Sequence, residues 1–133
     1  MNSPGFNEKI EAVLKDSSID SCNAFLEEVQ ALMEKTEDEA ALAQLEFLEK
    51  RLNIHLLEIE RDALAEDKFK EKIHLNGKIA RAYKKASNDA PNHPDRLKMR
   101  HEHLECLKMQ KELLHSYRTN PGQKISIPEK LAL

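Results

Sequence analysis

Two Glu-x-x-His elements, Glu71-x-x-His74 and Glu112-x-x-His115, carry the spacing that carboxylate-rich di-iron bundles place on two of their helices. One helical turn separates the two side chains of each element, so each pair can reach a common metal. The full arrangement also needs a glutamate-bearing helix between the two elements. Only the 87–94 loop and the last helix itself lie there. Glu112 and His115 fall off the face set by Leu107 and Leu114, and Glu71 and Lys78 flank His74 as on a solvated face. A denser group, His93, His101, His103 and Cys106, has one pair three residues apart that could share a transition metal. His103, however, shares a face with Leu107 and Leu114, where a histidine is read as hydrogen-bonded in or beside a core. His55, near Leu52 and Ile59, is read in the same way. Neither group is taken as a metal site, and no cofactor is expected.

Other chemistry is equally unsupported. There is no G-x-S-x-G, no Gly-rich phosphate loop and no H-E-x-x-H, and three glycines in 133 residues leave few sharp functional turns. The two cysteines, Cys22 and Cys106, form no C-x-x-C pair and are expected as reduced, partly buried thiols. Catalysis is not expected of this chain.

The elements that position these residues are helices. Between Phe6 and Ala90 there is no proline and a single glycine, Gly77, and only 5% of residues are aromatic, which favours helix-on-helix packing over a sheet. Ser3-Pro4 precedes a first helix with a stripe of Phe6, Ile10, Val13 and Leu14. Asp20 or Ser21 is expected to cap a second, carrying Cys22, Phe25, Leu26, Val29, Leu32 and Met33. Thr36 with Glu39 matches a capping box for a third helix from Glu37, with a stripe of Leu45, Leu48, Leu52, Leu56, Ile59 and Ala63. Carried forward in sevens, this stripe meets Ile73 and Ala80 after a polar layer at Asp62 and Glu66. The expectation is therefore one long helix over 37–86, straight or kinked at Asn76-Gly77, packed antiparallel to a C-terminal helix. That last helix is capped by Asn92 with Asp95 and has Leu97, Leu104, Leu107 and Leu114 on one side. The fold class is all-α, a bundle of four to five helices over 1–122 with a tail over 123–133.

Charge divides along the chain. Residues 1–66 hold sixteen acidic and six basic side chains, net −10, and residues 67–133 hold eight acidic and fifteen basic, net +7. Attraction between the halves inside the bundle is one consequence of this split; a basic surface at one end is the other. Candidate anion-binding residues are Lys78, Arg81, Lys84, Lys85, Arg96, Lys98 and Arg100. A long helix would outrun its neighbours, so Phe69, Ile73, Ile79 and Tyr83 are expected to meet a partner, with coiled-coil self-association into a homodimer as the concrete form. The N-terminus lacks a basic and then apolar leader, and a cytoplasmic location is expected. Together these features suggest a non-enzymatic protein–protein interaction module such as an adaptor, chaperone-like or regulatory bundle. The alternative is a binder of a polyanion, nucleic acid or an acidic membrane surface, through the basic half.

Overall fold

The computed structural model describes residues 4–119. Among them are five α-helices and no strand: α1 (Pro4–Lys15), α2 (Ile19–Lys35), α3 (Glu39–Ala63), α4 (Phe69–Asp89) and α5 (His93–Thr119). The all-α bundle expected from composition is the observed architecture. None of these helices is long and apolar enough to cross a membrane. The segment Gln123–Leu133, expected as a tail, lies outside the described residues.

Side-chain caps set the helix ends. Ser18 accepts the Ser21 N–H at 3.1 Å, so α2 starts at Ile19, ahead of the expected cap at Asp20 or Ser21. Thr36 closes α2 instead of opening α3. Its N–H reaches the Met33 carbonyl, and its hydroxyl donates to the Leu32 carbonyl at 2.6 Å. The cap of α3 is Asp38, whose carboxylate accepts the Ala41 N–H, so Glu39 is the first helical residue. At α5 the reading holds: Asn92 accepts the Asp95 N–H through Oδ1 and donates through Nδ2 to the Asp95 carboxylate.

Residues 37–86 are not one helix. The chain stops at Ala63, turns through 64–68 and resumes at Phe69, while Gly77, the expected kink, lies inside α4 with ordinary negative φ. No proline or glycine forces this break. Folding back brings α4 antiparallel onto α3, pairing Arg61 with Asn76, Glu58 with Tyr83 and Lys50 with Asp89. It also buries Ile79, Tyr83 and Ala86 against Phe47 and Ile54. Each fully buried large apolar side chain contributes about 1.5–3 kcal/mol, which outweighs a few helical hydrogen bonds at about 1 kcal/mol each.

As a result α3 is apolar on two sides. One face carries Leu45, Leu48, Leu52 and Ile59 into a core with Val13, Cys22, Phe25 and Val29 of α1 and α2. The other carries Phe47 and Ile54 into a second core with α4 and α5. The α4–α5 pair is the closest-packed in the molecule and is laced by side chain–backbone hydrogen bonds at a seven-residue step. Ser87 donates to the Arg96 carbonyl, His103 Nδ1 contacts the Ala80 carbonyl at 2.8 Å, and Gln110 donates to the Ile73 carbonyl at 3.0 Å. One helix descends as the other rises, which fixes the antiparallel register. Small residues at the bonded positions, Ala80 and Ser87, suit this close pairing of the helices.

Candidate protein-interaction surface

The hydrogen bonds to α4 determine which way α5 faces. His103 and Gln110 must point at α4 carbonyls, and Met99 and Cys106, on the same side, are buried in the second core. At about 100° per residue this turns the leucine stripe away from the bundle. Leu97, Leu104 and Leu107 are 52%, 52% and 47% exposed, and Leu114 is half-buried. The expectation that this stripe packs into the bundle is thus corrected. The side of α5 whose polar groups have partners is the buried one, and the leucine row lies beside it, with Leu97 and Leu104 turned farthest out. Of the five exposed large hydrophobic residues among those described, four (Leu97, Leu104, Leu107 and Met109) belong to α5; the fifth is Ile19.

The residues expected to meet a partner are placed differently. Phe69 and Ile73 are half-buried, Ile79 is fully enclosed, and Tyr83 is buried with its hydroxyl donating to Glu58 at 2.8 Å. Ile79 and Tyr83 are therefore not available as partner-binding residues, because α3 and α5 of the same chain cover them. The long helix expected to protrude is instead broken between Ala63 and Phe69, and α4 lies back along α3.

The seven candidate anion-binding residues, Lys78, Arg81, Lys84, Lys85, Arg96, Lys98 and Arg100, are all exposed. No ion pair between described residues involves any of them. The ion pair that joins the two halves, Lys50 with Asp89, takes its cation from the acidic half and its carboxylate from the basic one. Lys78, Arg81 and Lys85 lie on the outer side of α4, opposite Ile79 and Tyr83. Arg81 reaches the seam with α5, where its Nη1 and the Gln110 Nε2 both lie 3.5 Å from where a Cβ on Gly77 would stand. Arg100 lies between Leu97 and Leu104 on the outer face of α5, and Arg96 stands beside it. Lys98 does not join them. It lines a cavity of about 260 Å³ with Leu14, Arg51, His55 and Tyr83 on another side. Lys108 and Lys111, both exposed, share the outward face of α5 with the leucines.

Behind this surface lies a buried polar network. Asn76, with no exposed area, accepts from Arg61 Nη1 at 2.8 Å and donates through Nδ2 to the Cys106 carbonyl and Gln110 Oε1, both at 2.9 Å. Asp62 receives the Arg61 Nε. A cleft of about 240 Å³ runs beside it between α3 and α5, lined by Glu58, Arg61, Glu102 and Cys106 among others. Burial pushes the Cys106 thiol up to about 11, and burial with the nearby Glu58 carboxylate pushes the Tyr83 hydroxyl upward as well. Both therefore stay protonated at neutral pH, and Tyr83 and Arg61 are occupied in holding the helices together.

The histidines are dispersed. His55 contacts the Asp16 carbonyl through Nε2 at 2.7 Å and faces Glu58 through Nδ1 at 3.5 Å, while His74, His93, His101 and His115 are exposed. Among the described residues no group of three or more His, Cys, Asp or Glu is placed to hold a metal ion. No family model, curated protein or solved structure matches this chain.

Proposed function

We propose that the protein is a non-enzymatic helical interaction module that engages a protein partner along the outer face of α5. The observation that carries this reading is the row Leu97, Leu104 and Leu107, each about half exposed on a helix whose opposite side is already packed. Leucines at this spacing match the anchors that a partner helix uses when it lies along another. Cys22 and Cys106 are free and buried, and a cytoplasmic setting is part of the same proposal. The test is capture from native extract with the wild-type chain and with a Leu104→Asp/Leu107→Asp variant. The reading expects proteins retained by the wild type and lost by the variant while helical content is unchanged. An identical captured set from both chains refutes it.

A second reading, binding of a polyanion, draws on the exposed cations of α4 and α5 that lack acidic neighbours in ion-pair range. Heparin retention that falls with salt, and that survives the two leucine changes, would favour it over the first.

A further inference from the structure

Resting on the reading above, we infer that the partner of α5 is an acidic amphipathic helix. Written as heptads from Leu97, the outward seam of α5 runs Leu97, Arg100, Leu104, Leu107, Lys111, Leu114, Arg118 at the positions that face a paired helix. Four leucines share this seam with three cations. The flanking positions add Arg96, His101, Lys108 and His115, with His103, Gln110 and Tyr117 on the side nearer the bundle. No carboxylate stands at any of them. The acids of α5, Asp95, Glu102, Glu105 and Glu112, fall on the remaining positions. A helix laid on this seam therefore finds leucines to pack against and cations to neutralise, and carboxylates opposite Arg100, Lys111 and Arg118 complete it.

Other occupants fit the charge less well. A second copy pairing through the same seam would bring cations together with no acid between them, in either orientation. Among the described residues, the acidic half of a second copy buries the apolar stripes of its helices, and Ile19 is its one large exposed hydrophobic residue. Residues 120–133 carry Lys124 and Lys130 against Glu129 and so do not supply the missing acid. A lipid surface would suit the charge, but the face has no tryptophan or phenylalanine, and its leucines follow a narrow seam rather than a broad apolar face.

The test uses the full-length chain and two labelled helical peptides of one heptad pattern with leucine anchors. One carries glutamate opposite Arg100, Lys111 and Arg118, and the other carries glutamine there. Titration by fluorescence anisotropy should show the glutamate peptide binding about tenfold more tightly, as three exposed ion pairs imply. The preference should shrink with salt and vanish in Arg100→Gln/Lys111→Gln. Equal affinity for the two peptides, or binding to neither, overturns the acidic class; if Leu104→Asp/Leu107→Asp still abolishes capture from extract, the interaction reading survives that failure. Leucine-dependent binding to vesicles of an anionic lipid without any peptide preference overturns it in favour of a membrane. Sedimentation as a dimer that the two leucine changes dissolve overturns it in favour of a second copy. A sharp gain in peptide affinity on Ile125→Asp/Ile127→Asp overturns it in favour of the chain's own tail.

Discussion

Replacing Asn76 with leucine should be the most damaging single change to the α3–α4–α5 junction. Leucine is close to asparagine in size but makes none of its three hydrogen bonds, to Arg61, the Cys106 carbonyl and Gln110. Arg61, 8% exposed, keeps Asp62 through Nε but loses the acceptor for Nη1, and Gln110 Oε1 loses its donor. A buried polar group left without a partner costs about 1–3 kcal/mol, so two such losses predict about 2–6 kcal/mol. Against a total stability of about 5–15 kcal/mol for a domain of this kind, the urea midpoint should fall by a large fraction with little change in slope. Pairing the change with Gln110→Met removes one of the two orphaned groups. The double variant should then be more stable than the sum of the single effects implies, by about 1 kcal/mol or more. Urea titration followed by far-ultraviolet circular dichroism measures all four chains. A loss below about 1 kcal/mol for Asn76→Leu, or strict additivity with Gln110→Met, would refute the network as described.

Further outcomes follow from the same geometry. Gly77→Ala should stabilise the protein by about 0.5–1 kcal/mol in thermal unfolding, because the added methyl meets Arg81 and Gln110 only at 3.5 Å and the helix loses its most permissive residue; destabilisation would mean a tighter seam. Tyr83→Phe should cost about 1 kcal/mol through the lost bond to Glu58, and a neutral result would show that hydroxyl to be solvated. The Cys106 thiol is raised from its ordinary 9.0 to about 11, so the fold favours its protonated form. That contribution is complete below pH 9 and is lost as pH climbs towards 11, with Tyr83 acting in the same direction. Cys106→Ser should flatten this alkaline loss, as read from urea midpoints between pH 8 and 11; an unchanged slope would assign the loss elsewhere.

Helix content and most boundaries were legible because they depend on local chemistry: absent prolines, stripes such as Phe25 and Val29, and the Asn92–Asp95 cap. The turn at 64–68 was not, since Leu64-Ala65-Glu66-Asp67-Lys68 contains no helix breaker and the cause is tertiary. One sign was present, however. Asn76 sits on the same helical face as Ile73, Ile79, Ala80 and Tyr83, and an asparagine on an apolar face often marks a hydrogen-bonded contact between specific helices. The orientation of α5 was harder. Its leucines form the stronger stripe, and hydrophobicity alone directs them inward. What turns them outward is the match between His103, Gln110 and Ser87 and the carbonyls of the opposite helix. This match is visible only once α4 and α5 are laid side by side. The candidate surface was therefore half legible. Its cations were identified from sequence, and its leucines were assigned to the core.

The outward face of α5 is tested most directly by methyl NMR of the full-length chain with a soluble paramagnetic agent. Leu97, Leu104 and Leu107 methyls should broaden strongly while the buried Met99 methyl is protected, and an acidic leucine-anchored peptide should restore the leucine signals. Protected leucines with an exposed Met99, or leucines that stay broadened when the peptide is present, would contradict the account.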